Sequence, residues 1–276
     1  MKKFVRPAIV AITCIMAVQA TYAQTKQSPV IIQGALDIET DHIVSQLKNV
    51  KEKTYGAWKF WEGTYQGYPV VVSRTLMGMT DAAAATTLAI EHYHPAAIIN
   101  QGTAGGHDPK LNVFDIILGK TSENIGAFIT PNKALGEGSN TLTWNKSFNV
   151  LPKNNTPEEE SRRLRFDADP KLLAAANAIK ATYKQGKVVE GVIGSADVWN
   201  NELDRIKYFH ENYGTSVEEM ETASAAQVAS LYHVPFIGIR VLSNNLTNNG
   251  SYNPNTGAAC QQYVLDVAVN YLKSVK

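Results

Sequence analysis

Short apolar runs alternate along this chain with longer helical stretches, and that alternation restricts the fold more than any other feature of the sequence. Val30-Ile31-Ile32 reads as a strand that breaks at Gly34. Residues 38–47 follow as a helix with Ile38, Ile43, Val44 and Leu47 on one face and Asp37 at its N-cap. Residues 63–72 form a hairpin pattern around a glycine turn. Residues 81–92 are Ala-rich and helical, and residues 96–100 are a buried strand running into Gly102-Thr103-Ala104-Gly105-Gly106. The pattern then predicts a strand over 113–118, a helix over 171–183 and a strand over 188–193. A helix over 220–232, a strand over 236–242 and a last helix near 258–272 complete it. Such alternation buries a sheet between helical layers, and the early hairpin makes that sheet mixed rather than all parallel. The expected fold is α/β: a three-layer α/β/α arrangement around a mixed, twisted central sheet.

Residues 1–23 stand apart from this pattern. Met1-Lys2-Lys3 and Arg6 are basic, residues 8–18 are apolar, and Thr21-Tyr22-Ala23 ends in a small residue before Gln24. That is the pattern of a cleavable secretory signal peptide. Its apolar part is too short for a stable membrane anchor. Cys14 lies inside it rather than at its end, which speaks against lipid anchoring. The expectation is a periplasmic or secreted protein with one domain over residues 24–276. Of the 2 cysteines only Cys260 then remains, without a disulfide partner, and it reads as a small buried helix residue. The formal net charge of +1 gives no electrostatic case for nucleic acid or an anionic membrane as partner. Residues 130–165 are rich in Asn, Gly, Ser, Thr and Pro and carry Glu158-Glu159-Glu160 and then Arg162-Arg163. A tract that long is functional or mobile. Its charge run reads most simply as a solvated helix start, and more sharply as a lid.

Two segments point to chemistry. Glu218-Glu219-Met220-Glu221 puts carboxylates on both sides of a methionine at a helix start, and the strand over 236–242 ends in Ser243-Asn244. A carboxylate there can grip the vicinal hydroxyls of a ribose, and polar residues at a strand's carboxyl end sit where open α/β sheets bind ligands. Nucleoside cleavage has three needs: the ribose held as it becomes oxocarbenium-like, the departing base stabilised, and a nucleophile delivered to the anomeric carbon. Plainer readings stand beside this one. The segment from Gly102 to Gly106 lacks G-x-G-x-x-G spacing and reads as a strand-to-loop turn with Thr103 facing the ligand. Glu39 alone would be a solvated helix-start carboxylate. Trp199 alone would more often be a core residue. His92 and His94 lack a third ligand and read as a helix C-terminus, so no metal and no cofactor is expected.

In order along the chain, five motifs resemble those of the nucleoside phosphorylase/nucleosidase superfamily, most closely the methylthioadenosine/S-adenosylhomocysteine nucleosidases. They are Gly34-Ala35-Leu36-Asp37-Ile38-Glu39, Ile98 through Gly106, Val113-Phe114-Asp115-Ile116, Glu219-Met220-Glu221, and Val234 through Ser243. The resemblance implies a single nucleosidase-like domain, with residues 130–165 as extra length, and a homodimer. It implies that Glu221 holds the ribose hydroxyls as an ionised carboxylate, with Met220 under the sugar and Glu219 beside them. It makes Glu39 the base for the attacking water. Thr103, Ala104 and Gly105 would line the pocket, Ser243 would support the base, and Val198 and Trp199 would cover it, Trp199 by stacking.

The same resemblance frames the choice of nucleophile. Phosphorylases of this superfamily bind phosphate with arginines; the matching places here are Glu39's loop and Asn100. Arg74 is the one candidate anion ligand. Hydrolysis is therefore expected. The departure is Asn244, where the nucleosidases have Asp. An amide donates a hydrogen bond but releases no proton. Three readings stay open: a 6-oxopurine substrate, as in phosphorylases that place Asn there; a methylthioadenosine-type substrate with another donor such as Asp197; or weak or absent turnover. The leading expectation is an exported purine nucleosidase that gives free base and pentose. The alternatives are a phosphate-dependent phosphorylase and a non-catalytic nucleoside-binding or storage protein on the same fold.

Overall fold

A computed structural model describes residues 27–147 and 164–275. The signal-peptide pattern and the Glu158–Arg163 charge run therefore lie outside the described residues. The strands are β1 (Val30–Gly34), β2 (Lys48–Tyr55), β3 (Trp58–Tyr65), β4 (Tyr68–Arg74), β5 (Ala97–Gly106), β6 (Ile116–Asn124), β7 (Phe128–Ile129), β8 (Asn145–Lys146), β9 (Arg165–Asp167), β10 (Val188–Ser195), β11 (Thr215–Glu219) and β12 (Phe236–Asn244). The helices are α1 (Asp37–Gln46), α2 (Met79–Tyr93), α3 (Pro170–Ala178), α4 (Leu203–Tyr213), α5 (Thr222–Leu231), α6 (Thr256–Ala259) and α7 (Gln261–Ser274).

One mixed sheet runs β11-β10-β6-β12-β5-β1-β4-β3-β2, with β9 added on β6. Its strands are parallel around β1, β5 and β10 and antiparallel in the β2-β3-β4 meander. Successive residues of a strand face opposite sides of a sheet, and both sides are covered here. Val30, Ile32 and Ile99 enter a core with α1, α3 and α7, while Ile31 and Ile98 enter a second core with α2 and α5. This is the expected three-layer arrangement.

One pairing changes the sheet from an open surface into a cup. The end of β11 turns back to pair antiparallel with the end of β5, matching Val217 with Gly106 and Glu218 with Gly105. On its other side β5 pairs with β12, matching Asn244 with the same Gly105. Strands β5, β12, β6, β10 and β11 thereby close on themselves, and three chain segments distant in sequence meet at one glycine.

Several boundaries depart from the sequence reading. The glycine-rich segment is no turn: β5 continues through Gly106, because its backbone pairs with β12 and β11. Leu36, not Asp37, occupies the N-cap of α1, and Asp37 pairs with Arg74 at 2.5 Å. The strand expected from 113 starts at Ile116, after Phe114 takes a left-handed φ of 75°. The helix expected over 171–183 ends at Ala178 and is followed by a 3-10 turn, Lys180–Thr182. The last helix is two, α6 and α7, meeting at Cys260. Met220 and Glu221 precede α5, and Glu219 closes β11. Strand β2, helix α4 and strand β11 were not anticipated. β2 is almost wholly exposed and polar, so it carries no apolar alternation to read. The tract after residue 130 contributes β8, which pairs with β7, and is tied to the body by buried Glu123, which takes Lys146 at 2.9 Å and Arg165 at 3.1 Å. Among the described residues no helix is long and apolar enough to cross a membrane.

Candidate active site

Glu39 stands at the first turn of α1, where helix N–H groups lack partners and favour an acidic side chain. Its Oε2 accepts from the backbone N–H of Ala35 at 2.9 Å and Leu36 at 3.2 Å. Its Oε1 reaches across to β5 and accepts from the Thr103 N–H at 2.9 Å and the Thr103 hydroxyl at 3.1 Å. Glu39 is therefore buried and bridging rather than solvated. The approach is possible because residue 102 is glycine. A Cβ there would lie 2.7 Å from both Glu39 Oε1 and Arg240 Nη1.

Arg240, from β12, is 2% exposed. Its Nε donates to Glu219 Oε2 at 2.9 Å, its Nη2 donates to the same oxygen and to Asn100 Oδ1 at 2.6 Å, and Nη2 lies 3.5 Å from Glu221 Oε2. Glu219 also accepts from the hydroxyls of Ser195 and Thr222 and from the N–H groups of Glu221 and Thr222. Burial would raise its pKa, but the Arg240 charge and these hydrogen bonds carry it below the usual carboxylate range. The resemblance made Glu219 a substrate contact. It lines the cavity, yet its carboxylate is committed to this network and fixes the turn that presents Met220 and Glu221. Glu221 differs. Burial, and then the charge of Glu219, push it up to about 8, against the pull of Arg240 and of the Gly78 N–H at 2.9 Å. The expected ionised Glu221 is thus corrected: burial and the Glu219 charge favour its acid form at neutral pH.

All eleven expected site residues line one cavity: Glu39, Thr103, Ala104, Gly105, Val198, Trp199, Glu219, Met220, Glu221, Ser243 and Asn244. Their order along β5 is informative. Glu39 sits at Thr103, while Asn244 lies over Gly105, with its amide 3.6 Å from where a Cβ would be. The Ser243 hydroxyl lies 3.0 Å from Asn244 Oδ1 and 3.2 Å from the Ala104 carbonyl oxygen, either of which can accept its proton. Trp199 is 65% exposed at the mouth, where its ring faces Tyr252 at 6.2 Å. It is a rim residue, not a core one.

Two alternatives, Asp197 as proton donor and Arg74 as anion ligand, fail on geometry. Asp197 is exposed and accepts from the Met79 N–H at 2.8 Å, which ties it to the start of α2 and away from the cavity lining. Arg74 is bound by Asp37 and by Asp41 at 3.3 Å and lies over the Trp61 ring, so it is not free for an anion. His92 stacks on Tyr55 at 4.0 Å, and among the described residues no group of three or more side chains could hold a metal. Cys260 is buried, with its thiol pushed up to about 12 by burial and then by the Glu39 charge. Sequence reasoning missed Met77, His107, Asn200, Ile206, Leu246 and Tyr252 in the lining, and Arg240 beneath it. A charged residue inside the otherwise apolar run 236–242 was the one available signal for Arg240.

The family described as "Phosphorylase superfamily" matches residues 29–270. The 5'-methylthioadenosine/S-adenosylhomocysteine nucleosidase of Shewanella halifaxensis is 32% identical over 219 residues, 79% of this chain and 86% of that protein. The fold is shared with the enzyme of that name from Neisseria meningitidis, solved with methylthio-immucillin-A (TM-score 0.70, 23% identity, 87% of this chain and 98% of that one). It is shared likewise with the one from Colwellia psychrerythraea, solved with adenine (TM-score 0.70, 24% identity, 88% and 96%).

Replacing Arg240 by Met strands two buried carboxylates. Urea unfolding is expected to show a loss of about 3–5 kcal/mol; a loss under 1 kcal/mol on that scale would mean the network is not needed for stability. The second prediction concerns pH. Glu221 binds a proton in the folded state up to about 8, against 4.5 for an ordinary glutamate, so between these values the folded state holds the extra proton. Stability therefore falls as pH rises through that window. Thermal melts should show this slope in the wild type and a flatter one in Glu221→Gln. Equal slopes would place the titration elsewhere.

Proposed function

The chain belongs to the phosphorylase superfamily, and we propose that it hydrolyses the N-glycosidic bond of a purine nucleoside, releasing free base and pentose with water as nucleophile. One observation carries this reading. Among the described residues the cavity is lined by Glu39, Glu218, Glu219 and Glu221 and by no lysine or arginine. Such a lining offers phosphate no cation and leaves water as the nucleophile. The nucleosidase names of relatives such as the Shewanella halifaxensis protein support the same chemistry.

The residues divide the work as follows. Glu39, at the Thr103 end of β5, accepts the proton of the attacking water as the Thr103 hydroxyl gives up its place. Glu221 takes the ribose 2′- and 3′-hydroxyls, and Met220 packs under the sugar. Asn244 donates its amide hydrogen to the departing base over Gly105 and stabilises it without protonating it. Residues 1–23 direct export. A homodimer is supported by the apolar rim of the mouth, where Leu36, Met77, Val198, Trp199 and Tyr252 are all exposed.

The test is chromatography of free base released from inosine, guanosine, adenosine and methylthioadenosine, each with and without phosphate. Release independent of phosphate is expected, with Glu39→Gln lowering kcat by at least about 10²-fold. A rate that rises with phosphate, or an unaffected Glu39→Gln, would overturn the mechanism. Cell fractionation with N-terminal sequencing, and light scattering of the purified chain, should give an exported protein starting at Gln24 and twice the monomer mass. A cytoplasmic full-length chain, or a monomer, would remove the corresponding part of the reading.

A further inference from the structure

Glu39 is gripped at two points, of which only one is its carboxylate. Thr103 takes the carboxylate through its N–H and hydroxyl. Two residues earlier on β5, Gln101 takes the main chain: its Nε2 donates to the Glu39 carbonyl oxygen at 2.6 Å. Residues two apart on a strand project from the same face, so one face of β5 grips both ends of this glutamate. Gln101 is 1% exposed. Its amide fits beside the end of β1 because residue 34 is glycine; a Cβ there would lie 2.8 Å from Nε2.

A side-chain amide can point either way. Reversed, this one would set its oxygen against the Glu39 carbonyl oxygen, two acceptors with no proton between them. Cys260 removes that choice, because its thiol donates to Gln101 Oε1 at 3.1 Å. Burial and then the Glu39 charge push the thiol up to about 12, so it keeps its proton and remains a donor at neutral pH. The next residue holds α1 directly. Gln261 Nε2 donates to the carbonyl oxygens of Ile38 at 2.6 Å and Gly257 at 2.8 Å, and its Oε1 accepts from the Ile43 N–H at 3.1 Å. Cys260 and Gln261 are both fully buried and stand where α6 meets α7. That junction therefore braces the first turn of α1 twice, once through Gln101 and once by itself.

We propose that Gln101, oriented by the Cys260 thiol, is a positioning residue for Glu39: it fixes the first turn of α1 so that the carboxylate meets the attacking water in one geometry. This rests on the purine nucleosidase reading, in which Glu39 is the base, and deepens it. Gln101, Cys260 and Gln261 are not part of the cavity lining, so they act through Glu39 rather than on substrate. Met220 and Glu221, which take the sugar, belong to the turn between β11 and α5 and not to α1. Loosening α1 should therefore cost turnover and spare binding, because a small misplacement of a catalytic group lowers the rate steeply.

Gln101→Met keeps the side-chain length and removes the amide. Its kcat should fall about 10- to 100-fold, while KM changes by less than about threefold. Cys260→Ala, which loses the orienting donor, should fall in the same direction, and Cys260→Ser, which keeps a donor, should recover most of that loss. A merely structural thiol predicts the reverse order, because a buried Cys packs as a small apolar group and Ala is then its closer substitute. Amide hydrogen exchange reads the same link without turnover. The N–H groups of Thr103 and Ala35 donate to the Glu39 carboxylate. In Gln101→Met they should exchange at least about 10-fold faster, while Ile239 in the middle of β12 keeps its wild-type rate. An unchanged kcat in Gln101→Met, unchanged exchange at Thr103, or a Cys260→Ser protein slower than Cys260→Ala would overturn the proposal. The nucleosidase reading fails separately: the wild type then releases no base from any nucleoside, while exchange at Thr103 still reports whether Gln101 fixes Glu39.

Discussion

A guanidinium buried to 2% exposure has to be matched by anions, and the anions that match Arg240 hold the ends of the site together. Glu219 pairs with it directly and fixes the turn between β11 and α5. Asn100 ties the same group to β5, and Glu221 stands 3.5 Å from it at the cavity wall. Glu39 adds to the field that keeps Arg240 charged. One cation thus organises three carboxylates drawn from α1, β11 and the entry to α5. Its arrangement also explains why two adjacent glutamates behave oppositely. Glu219 receives the guanidinium and a cluster of donors and is held ionised, while Glu221 receives one N–H and a like-charged neighbour and is pushed toward its acid form.

The second constraint is backbone geometry. A sheet that stayed open would leave Glu218 far from Asn244, because β11 and β12 are separated by β10 and β6 in the strand order. The antiparallel return of β11 onto β5 brings both side chains to Gly105. Glycine is needed along this strand for reasons of space. At 102 a side chain would collide with Glu39 and Arg240, and at 106 with Asn245. The segment that looks like a loop in sequence is a strand whose glycines let neighbouring side chains such as Glu39 and Asn245 approach its backbone.

The layers and most elements were legible because their signal is local. Apolar runs such as Ile98-Ile99 and the period of α5 and α7 mark buried faces whatever surrounds them. Errors fall where local pattern and tertiary pairing disagree. Strand β2 is polar and exposed yet paired with β3, and the continuation of β5 through Gly106 depends wholly on β11 and β12. The Glu39, Glu221 and Asn244 positions were found through motif resemblance, and they do share one cavity. Their environments were not legible. The same resemblance offered Glu219 as a ligand contact, whereas its carboxylate is bonded to Arg240, and Glu221 as ionised, whereas burial and the Glu219 charge push it up to about 8.

The class of fold and the lack of a titratable acid at position 244 are written in local pattern and residue type, and motif resemblance marked eleven of the residues that meet in the cavity. Tertiary structure alone decided which glutamate is held ionised and which is pushed toward its acid form. The physical reason is that a carboxylate's state depends on burial and on partners within a few ångströms. Here Arg240 and Ser195, which bond Glu219, and Gly78, which bonds Glu221, are brought near by the fold rather than by sequence spacing.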